Sequence, residues 1–455
     1  MSDLLSIGRS GVLAYRDALA GVSENVVNAN NDGFAKRQVV LKEQTAASGP
    51  MLLYRNSSSF NGVQAANVSR VWDQYRAANA WSANADSSQA STRSQYLSTI
   101  EQVVDDSDTG TGVKLTAIFT SAAALSATPD DATLRQSMLY AIQDAASALG
   151  QSSANLGKIS DTVFQQASTT VGQVNNALAS LSRLNTALKT SPAGSSARAA
   201  LEDQRDTLIG TISTNVGVDV TLDATGAATL KLSDHNGPVL VSSAADDPAT
   251  IGILRAADGR LTATFTHDAT VSPATISSGT IAGLADVAST LADRGRQLDS
   301  IANNLATSIN AWQAAGSVPA SVPGDPAVPG IALLTGTTAQ TLALATTDPQ
   351  AIAAGDGTSD NGNLLALAKM RGPDGVEARW HALVSDQSLQ VSSAKTQAST
   401  AATRKDNAYS ALDDVSGVDL DAEAADLIRF QQAYTASAKI IQTSRETLQA
   451  VLDLF

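Results

Sequence analysis

Apolar residues recur every seven positions at both extremities of this 455-residue chain. Near the start, Leu5, Val12, Leu19 and Val26 are spaced by seven, with Tyr15 and Val22 at the intervening offset. Near the finish, Leu420, Leu427, Tyr434, Ile441 and Leu448 repeat the spacing, with Phe430 and Val451 at the second position. This is the seam of a helix that requires a partner helix. So narrow a stripe does not hold a lone helix in water, because its ordering entropy is recovered only by burial. The termini are therefore expected to pack on each other or on neighbouring copies. Periodicity alone leaves the two arrangements open. Gly8, Gly11, Ala14 and Ala18 permit close approach of a second helix, Phe430 and Tyr434 supply bulk, and each end has little else to pack on. In a dilute monomer both ends are expected to stay disordered until assembly supplies a partner.

The length exceeds the ~250 to 300 residues at which a single core stops growing, so two to four domains are expected. Aromatic residues make up only 4% of the chain, and the apolar surface comes in thin helical stripes that suit elongated bundles rather than thick cores. The absence of cysteine excludes disulfides, thiolate metal sites and cysteine nucleophiles. A net charge of -14 with no Lys/Arg cluster argues against nucleic acid as a partner. The opening residues lack the basic start and unbroken apolar run of a Sec-type signal, and no stretch offers the ~18 apolar residues of a membrane span.

A first helix is predicted over 3–28, stopped by the Asn/Asp/Gly cluster Asn28 to Gly33, followed by extended pieces at Phe34 to Glu43 and around Val68 and Val71. Helices follow over 72–104, 114–125, 132–149, 162–189 and 197–212, with Asp130 and Asp131 at the start of one of them, favourable for its dipole. The period switches to two at Val218, Val220 and Leu222, and Leu230 with Leu232 completes a hairpin. Ile251 and Ile253, then Leu261, Ala263 and Phe265, give another. Helix resumes over 281–312, a proline-punctuated stretch runs from Val318 to Pro329, and helices dominate after a loop at Gly355 to Gly362.

The fold class is therefore mainly α and elongated: paired N- and C-terminal coiled-coil helices, a helical bundle and a small inserted β domain. The expected division is 1–70 with 405–455 as the terminal layer, 71–215 with 276–317 and 345–404 as the bundle, 216–275 as the β insertion, and 318–344 as a Pro-rich linker or reduced outer domain. No catalytic, cofactor or metal residue is assigned. His235, His267 and His381 are scattered. Asp356 and Asp360 sit in a loop that lacks the ligand spacing, glycine and terminal Glu of a calcium loop. Asp105, Asp106 and Asp108 read as a helix stop.

The segment GVDLDAEAADLIRFQQAYTASAKIIQT, from Gly417, resembles the C-terminal signature of bacterial flagellar axial proteins. Ser10, Gly11, the run ENVVNANNDGF from Glu24, and Arg37 with Gln38 are similar to the matching N-terminal signature. Four interior segments narrow the resemblance to the hook-associated protein 1 family: ALSATPDDATLR from Ala124, LEDQRDTLIGTISTNVGVDV from Leu201, GLADVASTLADRGRQLDSIANNLATSINA from Gly283 and DPQAIAAGDGTSDNGNLLALA from Asp348. Two departures stand out. Family members often carry an outer domain where this chain has only the proline-rich piece, and Glu24 stands where Asn is common.

The resemblance implies a non-enzymatic junction protein of the extracellular flagellum, exported unfolded by the flagellar type III route. It implies a homo-oligomeric ring, contacts to the hook protein, to a second junction protein and to the filament end, and an export chaperone on the C-terminal helix. No nucleic acid partner or membrane insertion is implied. The assembly interface would be Leu5, Val12, Tyr15, Leu19, Val22, Val26, Leu420, Leu427, Phe430, Tyr434, Ile441 and Leu448. A rod or hook subunit is the nearest alternative, and a secreted adhesin or enzyme a more distant one.

Overall fold

The computed structural model describes residues 2–31, 33–44, 62–104, 107–233, 236–244, 247–318 and 328–453. Asp32, Asp105, Asp106, His235 and residues 319–327 of the proline-punctuated stretch lie outside the described residues.

Helix α1, Ser2–Asn28, ends in the Asn-rich turn, where the Asn31 N–H donates to the Asn28 carbonyl at 3.0 Å. Strands β1, Arg37–Glu43, and β2, Val63–Arg70, form an antiparallel ribbon with Arg37 opposite Arg70. The bundle follows: α2, Gln74–Val103; α3, Thr111–Ala127; α4, Ala132–Thr190; and α5, Ser196–Asn215. Asp73 and Asp131 cap α2 and α4, each carboxylate accepting from two backbone N–H groups of the first turn. The expectation of two helices over 132–149 and 162–189 is corrected, because α4 is continuous over 59 residues, about 90 Å at 1.5 Å per residue. Gly150, Gly157 and the polar residues between them weaken the local helix preference. Burial of Leu149, Ser152 and Leu156 on one face overrides it.

Strands β3, Val218–Leu222, β4, Ala228–Leu232, and β5, Val239–Val241, form one antiparallel sheet. A second consists of β6, Thr250–Arg255, β7, Leu261–His267, and β8, Thr270–Ala274. Helix α6, Thr280–Ala315, returns to the bundle. Short ladders β9, Ser317–Val318, with β10, Val328–Pro329, and β11, Leu334–Thr335, with β12, Ala343–Leu344, follow. In the stretch 318–344, expected as a Pro-rich linker or reduced outer domain, the second half packs: Leu333, Leu334, Ala339 and Leu342 are buried in the bundle core. The chain closes with α7, Gly362–Leu367, α8, Val376–Ser416, and α9, Leu420–Leu452.

Two cores result. One gathers α2, α3, α4, α6 and α8 around residues such as Leu97, Ile118, Leu139, Leu298 and Trp380. The other joins the C-terminal half of α4 and α5 to both three-stranded sheets through Leu178, Leu181, Ile209, Leu230 and Leu240. Asparagine side chains repeatedly dock helix to strand. The amide of Asn175 donates to the Ile251 carbonyl and accepts from the Ile251 N–H, and Asn185 does the same to Ala228. Each satisfies both backbone groups of one residue, on the edge strand β6 for Ile251 and at the start of the central strand β4 for Ala228, which burial would otherwise strand.

Candidate assembly interface

The two heptad-bearing helices lie antiparallel. A Cβ on Gly8 would sit 2.7 Å from Ile441 Cγ1, and one on Gly11 would sit 2.5 Å from Ser437 Oγ, so a side chain at either position would have to displace the facing residue of α9. Tyr15 meets Phe430 with ring centroids 6.4 Å apart, and the Asn25 amide donates to Glu423 at 3.0 Å. The expectation that neither end finds a partner before assembly is thereby corrected: within one chain the small residues let α1 and α9 close on each other. Ala14, Ala18, Val22 and Asn25 of α1 are buried, whereas on α9 burial reaches Glu423, Ser437 and Ser444.

The heptad rows themselves take the flank of this contact. Leu5, Val26, Leu420, Leu427, Tyr434 and Leu448 remain 37% to 51% exposed, and Val12, Tyr15, Leu19, Phe430 and Ile441 are half-buried. A straight α-helix drifts about 20° per heptad against a seven-residue row, which places Leu420 at the margin and brings Ile441 into contact. Given the Gly8–Ile441 level, Leu5 lies within a turn of Ile441, Val12 of Tyr434, Leu19 of Leu427 and Val26 of Leu420. Antiparallel pairing brings both rows to the same side. The outcome is a ladder of large apolar side chains, half-covered along one flank.

At its inner end this pair is held to the bundle by a charge cluster that periodicity did not reveal. Glu423, buried on an otherwise exposed helix, pairs with Lys36 at 2.8 Å. Asn25 exchanges two hydrogen bonds with the Arg37 backbone, both 2.9 Å. The Arg37 guanidinium pairs with Glu24 and, at 3.1 Å, with Asp203 of α5. Arg70 reaches Asp203 at 2.8 Å and Asp206 at 2.7 Å. Burial alone would lower the Arg70 pKa, but Asp206 and Asp203 hold it above its ordinary value. Burial pushes the Asp203 carboxyl above the usual carboxylate value, against the pull of Arg70 and Arg37. Glu24, the departure noted in the sequence, is thus part of the attachment. The available signal was charge at separate places, Lys36 and Arg37 beside the N-terminal signature and Glu423 within the C-terminal one.

The model of the flagellar hook-associated protein FlgK helical domain matches residues 97–326, half of the chain and the bulk of both cores. The chain belongs to the flagellar hook-associated protein FlgK family. The model of the flagellar basal body rod FlgEFG protein C-terminal region matches residues 414–454, which is α9 and its cap. Flagellar hook-associated protein 1 of Salmonella typhimurium is 23% identical over the full length of both chains. That of Bacillus subtilis is 28% identical over 50% of this chain and 45% of its own. The fold is that of the hook junction protein FlgK from Burkholderia pseudomallei, with a TM-score of 0.64 at 14% identity, over 74% of this chain and all of that one.

The other sequence candidates are placed apart from this interface. The Asp356 carboxylate is occupied by its own loop, accepting from the backbone N–H groups of Thr358 and Ser359 at 2.8 and 2.7 Å and from the Thr358 hydroxyl at 2.7 Å. His267 ends β7 next to the turn into β8, 3.6 Å from Asp268. Among the described residues, no group of three or more His, Asp or Glu is arranged to hold a metal, and no helix is long and apolar enough to cross a membrane.

Proposed function

We propose that this chain is a structural, non-catalytic subunit that self-assembles into a ring joining the flagellar hook to the filament. The half-covered ladder on the α1–α9 pair carries the reading, since half-buried Leu, Val and Tyr at seven-residue spacing call for further helices. In this reading 1–70 with 405–455 form the inner layer, 71–215 with 276–317 and 345–404 the bundle, and 216–275 an outward β module. Of the twelve residues named above, Val22 is buried within the pair, and the other eleven, from Leu5 to Leu448, are the subunit contact. The hook protein, a second junction protein and the filament end are the axial neighbours, and an export chaperone shields α9 beforehand. Membership of the family and the full-length similarity to hook-associated protein 1 support a junction role over that of a rod or hook subunit.

The test is genetic. Leu19→Asp combined with Leu427→Asp introduces two charges on the flank and leaves the small-residue contact intact. Cells carrying it, like cells lacking residues 417–455, should complete their hooks yet shed flagellin into the medium. Normal filaments on either strain would refute the proposal, and loss of the hook itself would favour a rod or hook subunit.

A further inference from the structure

The apolar ladder does not by itself fix how far α9 is slid along α1. The α9 row has five rungs, Leu420 to Leu448, against four on α1. If α9 moved by seven residues, about 10 Å, Leu5 would come level with Leu448, Val12 with Ile441, Leu19 with Tyr434 and Val26 with Leu427. Every rung would stay apolar. The close contact is equally repetitive, because Gly11 would then face Ser444 in place of Ser437, and both serines are seven apart and small. The slide exchanges one ring contact, Tyr15 on Phe430, for Tyr15 on Ser437. The chain permits this slide in only one direction. The Ser416 carbonyl is held by the Lys36 N–H at 2.7 Å, so the connector can lengthen at the expense of the first turns of α9 but cannot shorten by seven residues.

One position is not degenerate. Glu423 lies fully enclosed between the Lys36 ammonium and the Asn25 amide, and Asn25 is itself locked to the Arg37 backbone. In the shifted arrangement Phe430 would occupy this place, leaving the buried Asn25 amide and the partly exposed Lys36 charge without their acceptor. A single polar position inside a repetitive seam is the known means of selecting one register among several. We infer that Glu423, with Asn25 and Lys36, is the register determinant of the terminal helix pair, selecting the alignment that sets Leu420 level with Val26 over the one that sets Leu427 there. Only one consequence, that a slipped pair would present a different set of α9 side chains to other copies, rests on the function proposed above.

The absence of cysteine allows a direct measurement in the full-length monomer. The pair Gly8→Cys with Ile441→Cys reports the observed register, since replacing Ile441 removes the atom that crowds Gly8 and leaves a separation suited to a disulfide. The pair Gly8→Cys with Leu448→Cys, in a chain that also carries Ile441→Ala to remove the same crowding, reports the shifted one. In the otherwise unaltered chain the first pair should oxidise and the second should not. Adding Glu423→Leu should raise the shifted product at least about fivefold at the expense of the other. Glu423→Gln, which keeps a partner for Asn25 but not for Lys36, should raise it less. An unchanged product ratio in both variants would overturn the inference, showing that packing alone sets the register. So would loss of both products, because the cluster would then hold the helices together without choosing between alignments. Neither result bears on whether the ladder contacts other copies, which the filament phenotype reads separately.

Discussion

The bundle and the terminal pair use the same secondary structure and opposite means of holding it. In the bundle, α2, α4, α6 and α8 enclose large side chains from several directions, and Trp380, Leu139 and Ile118 are each 0% exposed. In the terminal pair, α9 buries one glutamate and two serines over its 33 residues, while its leucines stay half in water. The first region is finished within one chain. The second is fastened to the bundle by polar contacts and leaves its large apolar side chains half exposed. Apolar patterning announces that a helix needs a partner; burial in the folded chain shows how much of that need is already met.

The sharpest way to break this contrast is to truncate one large side chain on each side of it. Trp380→Ala removes a fully enclosed indole from the bundle and should cost about 3–5 kcal/mol. Leu427→Ala removes a side chain already 37% exposed and should cost under about 1 kcal/mol in the monomer. Denaturant unfolding of the monomer measures both. Equal costs would mean that the terminal pair is as tightly packed as the bundle.

A somewhat smaller effect sharpens the comparison at the seam between the two regions. Arg70 is enclosed with Asp203 and Asp206, and Arg70→Met leaves both carboxylates short of a partner. Breaking such a pair from one side should cost about 3 kcal/mol, most of it from the charges left behind. Because the terminal pair joins the bundle here, amide exchange should quicken in α1 and α9 more than in α4 or α6. Uniform acceleration throughout would show that the cluster serves global stability and not this one attachment.

How far each region could be read from sequence follows from the same physics. Bundle helices declared themselves through apolar period and caps, and Asp131 before α4 was legible as a helix start. The continuity of α4 through Gly150 and Gly157 was not, since it depends on long-range burial that overrides local preference. The hairpins β3–β4 and β6–β7 were visible in the alternation, but the third strand of each sheet was not; β5 is only three residues long. At the termini the rows Leu5 to Val26 and Leu420 to Leu448 were plain, yet periodicity could not say that they would flank the contact instead of filling it. That depended on Gly8 and Gly11, whose missing side chains draw α9 toward the small face of α1. Lys36, Arg37, Arg70, Asp203 and Glu423 come from four separate stretches of sequence, and no spacing rule connects them.

The smallest effect separates two carboxylates that the sequence does not distinguish. Asp356, at the bundle end, is held by hydrogen bonds from the Thr358 hydroxyl and from the Ser359 and Thr358 backbone, and its pKa falls from 3.8 to about 2. Asp203, in the cluster, is shifted the other way because burial outweighs its arginine partners. The signs of their contributions to stability are therefore opposite. A lowered folded value means that the Asp356 contribution is present above the unfolded pKa and is lost as the pH falls through about 2. A raised folded value means that the Asp203 contribution is complete below the unfolded pKa and is lost as the pH rises through its folded one. Carboxyl carbon shifts followed through an acid titration should show Asp203 taking up its proton first and Asp356 last, with free aspartate between them. If the order were reversed, the cluster would be well solvated, and the terminal pair would be attached to the bundle by surface ion pairs worth little instead of by enclosed ones.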